Sequence, residues 1–236
     1  MDRIEGLGTI AALWRYPVKS MRGELCRSLK IDARGVEGDR GYALRFTDGK
    51  LASGKNTRRY RMLDGLLDCA ATYDGDVPVI RFAGQEMRAD DAAIHAALSR
   101  CLAQPVSLVR EDAVSHLDAG PVHLVTTAAL DRLREALPAA IIDERRFRPN
   151  LLIEVPSPDP VGEGCTGKIL AIGPEVRLRI TNATERCRMV TMAQEGLPDD
   201  VRILRYLAQE ADACFGFYAE VTRPGTITQG DAVHPL

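Results

Sequence analysis

Of the six cysteines in this 236-residue chain, one stands between two arginines, in Ala183-Thr184-Glu185-Arg186-Cys187-Arg188-Met189. Neighbouring cations favour thiolate over thiol, so Cys187 is the sulfur suited to act as a nucleophile, a redox switch or a metal ligand. Donors for an anion lie elsewhere along the chain. Val18-Lys19-Ser20-Met21-Arg22-Gly23 puts a lysine, a serine and an arginine on a loop after a strand-like run. Ser53-Gly54-Lys55-Asn56-Thr57-Arg58-Arg59-Tyr60-Arg61 holds four cations in nine residues. There lysine offers a point charge and arginine a planar fork. Thr126-Thr127 leads from an apolar run into a helical pattern and would present free N–H groups and hydroxyls. In Arg146-Phe147-Arg148-Pro149-Asn150, Pro149 pushes Arg148 toward extended backbone. Arg146 and Arg148 are then expected on one side of the chain and Phe147 on the other. Each group also has a plainer explanation: a solvated turn, a threonine N-cap, a surface charge run.

Composition narrows the setting. With 31 Lys+Arg against 33 Asp+Glu the formal charge is -2, so net charge does not recruit nucleic acid. No run of about 18 uncharged apolar residues would span a membrane, and residues 1–5 lack the charged-then-apolar character of a leader. The cysteines at 26, 69, 101, 165, 187 and 214 form no C-x-x-C pair and no zinc or iron–sulfur spacing. We therefore expect reduced thiols, mostly buried, in a cytoplasmic protein with no electron-relay cluster of its own.

The elements that must position these groups are mainly short strands. Apolar, β-branched or alternating runs at residues 8–16, 25–32, 42–46, 66–73, 77–82, 85–88 and 106–110 are broken by glycines and by an Asp48-Gly49 hairpin signal. Residues 92–102 carry helical periodicity, with Ile94, Leu98, Cys101 and Leu102 on one face and Asp90 or Asp91 as cap. A polar connection at 111–120 suggests a boundary. Beyond it come a strand at 122–125 containing His123, expected as a core histidine, and a helix at 128–137. Strands follow at 151–154, 168–172 and 176–180, the last delivering the chain to Cys187. A Pro/Gly/Asp loop occupies 156–164. A helix at 201–210 capped by Asp199 or Asp200, a strand at 215–221 and two short β segments at 225–233 complete the pattern. About a dozen strands, two or three helices and no regular βαβ alternation predict an α+β, β-rich, barrel-containing fold.

Six stretches, in order, resemble the MOSC-domain family, named after the C-terminal domain of molybdenum cofactor sulfurase and including amidoxime reducing components. They are Tyr16-Pro17-Val18-Lys19-Ser20, Gly38-Asp39-Arg40, His123 through Leu130, Arg146-Phe147-Arg148-Pro149-Asn150, Arg186-Cys187, and Gly-x-Ile-x-x-Gly-Asp-x-Val at 225–233. The resemblance implies a MOSC N-terminal β-barrel-like region at residues 1–110 and a MOSC domain, a β-barrel with a few flanking helices, at 111–236. It also implies a molybdenum cofactor, that is molybdenum on molybdopterin, with Cys187 as metal ligand and catalytic residue. Lys19, Ser20, Lys55, Arg58, Thr126, Thr127, Arg146, Arg148, Asn150 and Arg186 fall to holding pterin and phosphate. Two places depart from the amidoxime-reducing branch: Ser53-Gly54-Lys55 replaces its Thr-Ala-Arg triplet, and residues 191–198 lack its Asp-Pro pair. They resemble a branch of small standalone MOSC proteins.

The function that follows is reduction of N-hydroxylated or related small molecules, with electrons from an external ferredoxin- or cytochrome-type partner and no nucleic-acid or membrane partner. A carrier that stores the cofactor without turnover, and a sulfur-transfer protein holding a persulfide on Cys187, stand as alternatives.

Overall fold

A computed structural model describes residues 7–156, 159, 161 and 164–236. The leader assessment at residues 1–5 and part of the 156–164 loop lie outside the described residues. In chain order the strands are β1 (Gly8–Arg15), β2 (Glu24–Cys26), β3 (Ser28–Asp32), β4 (Gly35–Val36), β5 (Tyr42–Phe46), β6 (Leu51–Ser53), β7 (Tyr60–Met62), β8 (Ala70–Asp74) and β9 (Val77–Phe82). There follow β10 (Gln85–Arg88), β11 (Val106–Arg110), β12 (Val122–Thr126), β13 (Leu151–Glu154), β14 (Ile169–Ile172), β15 (Val176–Glu185), β16 (Cys214–Arg223), β17 (Gly225–Thr228) and β18 (Ala232–Pro235). The α-helices are α1 (Ile94–Cys101), α2 (Thr127–Ala136) and α3 (Val201–Glu210).

The fold is α+β and β-rich. Seven strands in the order β13-β12-β16-β15-β14-β18-β1 close into a barrel through the antiparallel pairing of β1 with β13, and β2 extends β1 outside it. Closure removes the unpaired edges that an open sheet would expose. Alternate residues point inward: Val122 and Leu124, Leu151 and Ile153, Leu170 and Ile172, Leu178 and Ile180 share one core with Ile10 and Leu13. The outward residues Val125 and Leu152 meet Leu130, Leu133, Ile203 and Leu207 of α2 and α3. Burying each of these Leu or Ile side chains contributes about 1.5–3 kcal/mol.

A second core gathers Val18, Met21, Leu44, Phe46, Ile80, Ile94 and Leu98 under the sheets β11-β5-β6-β7 and β10-β9-β8 and α1. Residues 8–36 do not belong to that body alone. β1 is a barrel strand, and β3 pairs with both β4 and β17.

Several expected elements shift. Residues 25–32 divide at Arg27 into β2 and β3, which pair with different partners. Residues 66–73 open as a 3-10 turn, Leu66–Asp68, because Gly65 at φ +81 turns the chain; β8 starts only at Ala70. β15 runs on to Glu185 through register shifts. In α1 the buried face is Ile94, Ala97 and Leu98, Cys101 is exposed, and the Asp91 carboxylate accepts from the Ala93 N–H ahead of the helix. Such divisions raise the strand number to eighteen among the described residues.

Candidate functional site

Loops from both halves converge on a cavity of about 480 Å³, a volume suited to a cofactor-sized ligand. Lys19 and Ser20 follow β1, Arg40 precedes β5, Ser53 ends β6 and Lys55 follows it, and Asp118 comes from the connection before β12. His123 lies on β12, and Phe147 and Arg148 precede β13. The end of β15 carries the chain past Glu185 to Arg186, Cys187 and Met189, and Asp212, Cys214 and Tyr218 complete the wall. Non-glycine residues at positive φ concentrate here: Ser20 (+64°), Arg40 (+50°), Arg148 (+55°) and Asp212 (+48°) all line the cavity. Left-handed backbone is unfavourable for such residues and clusters at functional sites.

Lys19 is 2 % exposed, and its ammonium donates to the His116 carbonyl at 3.0 Å and to Asp118 Oδ1 at 2.9 Å. Burial lowers its proton affinity and Asp118 restores part of it. Burial alone would raise the Asp118 carboxyl; Lys19, then Lys55 and Arg40, outweigh it and hold it down at about 2, so Asp118 is ionised. Arg40 and Arg148 both stack on Tyr16, their guanidinium carbons 4.5 and 4.2 Å from the ring centroid. Burial, then the nearby Arg40 charge, pull Arg148 down to about 10. Arg40 is itself paired with Asp39. Asp39 offsets one of these two stacked charges, and an anionic ligand would offset the other. Arg148 Nη2 and Arg186 Nε are buried without hydrogen-bond partners, an arrangement that a ligand acceptor would relieve.

Arg186 donates through Nη2 to the Phe147 carbonyl at 2.7 Å, and its Nη1 lies 3.4 Å from His123 Nε2. His123 Nδ1 lies 3.3 Å from the Arg148 carbonyl. Burial, then Arg186, hold His123 well below its ordinary value. A neutral ring protonated at Nδ1 makes both contacts hydrogen bonds: it donates to Arg148 and accepts from Arg186.

Cys187 is half-buried and packs with Leu67, Met189 and Met192. Gly54 lets the β6 loop close on this group, since a Cβ there would come within 2.4 Å of Met189 Sδ. The expected pair of arginines does not act on the thiol together. Arg188 turns outward, with Nη1 3.1 Å from Met62 Sδ and 3.7 Å from Asp64.

Of the residues singled out from sequence, the cavity collects Lys19, Ser20, Lys55, Arg148, Arg186 and Cys187. Arg146 sits elsewhere. Residues 144–146 form a 3-10 turn capped by Asp143, and Pro149 is accommodated by left-handed rather than extended backbone at Arg148. Arg146 is therefore fully buried against the carbonyls of Ile141, Val190, Met192 and Pro198, while Phe147 joins Arg148 in the cavity wall. Asn150 accepts from the His123 N–H at 3.1 Å and donates to the Trp14 carbonyl at 3.2 Å, which fixes β12 against β1. Thr126 caps α2 through Ala129 and donates to Asp159, and Thr127 bonds the Val155 backbone. Arg58 opens on a different cleft. Arg40, Asp118, His123 and Tyr218 are cavity residues that the sequence reading did not select. Gly38-Asp39-Arg40 was a usable signal; His123 was hidden in an apolar strand.

Among the described residues no three His, Cys, Asp or Glu side chains stand close enough to hold a metal ion. A metal bound here would rely on one protein thiolate and on ligands that its cofactor brings. A cationic wall, two unpartnered buried guanidinium nitrogens and the Cys187 thiol fit such an anionic group.

The chain belongs to the MOSC domain family: the MOSC domain profile matches residues 111–234, and the MOSC N-terminal beta barrel domain profile matches residues 7–105. MOSC domains are associated with molybdenum-cofactor-related proteins. Mitochondrial amidoxime-reducing component 1 from Mus musculus is 24 % identical over 294 residues, spanning 99 % of this chain and 84 % of that protein. The Homo sapiens protein of that name is 24 % identical over 289 residues with the same coverage. In fold the chain is similar to the YUAD protein from Bacillus subtilis, with a TM-score of 0.55 and 13 % identity over 97 % of this chain and 94 % of that one. No described helix is long and apolar enough to cross a membrane.

The buried histidines set a pH dependence. Burial holds both His116 and His123 below the ordinary 6.5. Between their folded values and 6.5 the unfolded chain binds more protons, so stability is full above 6.5 and falls on acidification below it. The expected loss is up to about 1.4 kcal/mol per pH unit for each histidine. Denaturant midpoints measured from pH 7.5 to 5 should decline, and a flat profile would contradict the neutral assignments.

Proposed function

We propose that this chain binds a molybdenum cofactor in the cavity and serves as an oxidoreductase toward N-hydroxylated or related small molecules, drawing electrons from an external ferredoxin- or cytochrome-type donor. One observation carries the reading: Cys187 lines a cavity whose other walls present Lys19, Arg40, Lys55, Arg148 and Arg186. Thiolate suits a soft metal, and guanidinium forks suit phosphate and a planar heterocycle. When bound, the cofactor supplies two-electron removal of oxygen from the substrate.

The chain's own residues hold and orient. Cys187 provides the protein thiolate. Lys19, Ser20, Lys55 and Arg148 lie where an anionic tail would be gripped, and Ser53 adds a hydroxyl. Asp118 keeps Lys19 protonated within the wall and limits the excess positive charge. His123, neutral, steadies Arg186 beside the cysteine without adding a charge of its own. Cys26, Cys69, Cys101, Cys187 and Cys214 are free thiols, which fits a reducing compartment such as the cytoplasm.

Turnover is the test. Protein made in a molybdopterin-producing host, reduced by a viologen dye and given an aromatic amidoxime or hydroxylamine, should consume it, and Cys187→Ala should abolish consumption. Loaded wild type that turns over no N-hydroxylated substrate would contradict the oxidoreductase reading and leave a carrier. One extra sulfur on Cys187 without molybdenum would point instead to sulfur transfer.

A further inference from the structure

The cations of residues 53–61 divide between two places, and the second is a site in its own right. Lys55 enters the cofactor cavity, whereas Arg58 and Arg59 face a separate cleft of about 420 Å³ on the outer side of β5, β6 and β11. Arg45, Lys50 and Arg110 face the same cleft. We propose that this cleft binds a phosphorylated small molecule, its phosphate held by Arg45, Lys50, Arg58 and Arg110 and its organic part resting on Leu51, Val109 and Val114.

Two independent observations point to a ligand. The first is unbalanced charge. Elsewhere in this half Arg81 is ion-paired with Glu86, Arg88 with Asp74 and Asp90, and Arg34 with Glu111. In the cleft, the side chains of Arg45, Lys50, Arg58 and Arg110 have no hydrogen-bond or ion-pair partner, and Arg59 has only the Ser115 carbonyl, at 2.5 Å. The five cations Arg45, Lys50, Arg58, Arg59 and Arg110 outnumber the carboxylates of Asp48 and Asp112, and the excess repels itself, so a bound dianion is the arrangement they favour. The second is His116, which forms part of the cleft wall, is 3 % exposed, and has an Nδ1 with no hydrogen-bond partner. A buried polar atom left unsatisfied is rare and calls for an acceptor or donor from outside the fold.

The remaining lining sets the ligand's size and class. Leu51 and Val109, packed with Ala43 and Tyr60, give an apolar floor, and Val114 stands at the rim 59 % exposed. Asp48 and Asp112 interrupt the positive charge. An extended nucleic-acid backbone needs an unbroken basic track, whereas one phosphate or diphosphate needs only a local group of cations.

The cleft shares a wall with the cavity. The His116 carbonyl accepts from Lys19 Nζ at 3.0 Å, and Asp118, the ion-pair partner of Lys19, lies two residues on. Tyr60 stands between them, facing Arg59 at 5.2 Å on the cleft side and Lys19 and Lys55 at 4.5 and 5.5 Å on the cavity side. Occupancy of the cleft would thus be felt at Lys19, but the site stands whatever fills the cavity.

The test is calorimetric titration of the full chain with pyrophosphate at physiological salt. Arg45 and Arg110 are exposed, so the double variant Arg45→Gln/Arg110→Gln keeps the fold and should weaken one binding event at least about tenfold. His116→Gln should weaken the same event, and Lys55→Gln should leave it in place. Binding that survives the double variant and disappears with Lys55→Gln would assign all phosphate affinity to the cavity and overturn the proposal. So would an absence of pyrophosphate binding, with or without capture by anionic vesicles or single-stranded oligonucleotide.

Discussion

Replacing Arg146 with alanine should destabilise the protein by about 3–5 kcal/mol, the sum expected from several buried carbonyls left unpaired and a cavity where the side chain lay. Arg146 is 0 % exposed, and its guanidinium reaches four carbonyls: Ile141 at 2.9 Å, Pro198 at 2.8 Å, Val190 at 3.4 Å and Met192 at 3.5 Å. Three of the four belong to the segment that follows Cys187. Alanine would leave those carbonyls buried and unpaired and would open a cavity where the side chain lay. Arg146→Lys should recover less than half of the loss, because an ammonium cannot reproduce the planar fork. Denaturant midpoints of the three proteins measure this directly. A change below about 1 kcal/mol for Arg146→Ala, with loss of anion binding, would mean that Arg146 serves the ligand after all.

That residue shows where the sequence was legible and where it was not. Strand existence was readable wherever alternation was regular and partners were uniform, as in 42–46 and 106–110, which are β5 and β11 residue for residue. The strand-to-helix passage at Thr126-Thr127 was readable because capping is a local device; for the same reason the threonines proved to be occupied by α2 and by residues 155 and 159. Side-chain direction in loops was not readable. An extended 146–148 would have put both arginines into one site, and a single 3-10 turn sends one to the carbonyls and the other to the cavity. In residues 53–61, likewise, Lys55 and Arg58 carry the same kind of charge, and only the path after β6 separates them. His123 and Asp118 were missed because a histidine in an apolar strand and an aspartate in a polar connection have nothing local to mark them. Both join the cavity wall through long-range contact, with Arg186 and with Lys19.

The second large effect is expected at Cys187. Among the described residues no cluster of metal-ligating side chains forms, so on the proposed reading the protein's bond to a metal falls to the Cys187 thiolate. Alanine removes that ligand while leaving the cationic wall intact. Cys187 is only half-buried and its apolar contacts are with Leu67, Met189 and Met192, so Cys187→Ala should change stability by no more than about 1 kcal/mol. Loss of metal would therefore not reflect unfolding. Cys214 supplies the control, because it lines the same cavity and its thiol is pushed up by burial, then by Glu185. A thiol held protonated is a poor metal ligand, and Cys214→Ala should keep the metal.

The decisive measurement is the molybdenum and pterin content of purified wild type, Cys187→Ala and Cys214→Ala after expression in a molybdopterin-producing host. The expected result is near-stoichiometric molybdenum in wild type and Cys214→Ala and almost none in Cys187→Ala. Wild type free of molybdenum, or Cys187→Ala with its molybdenum undiminished, would contradict it.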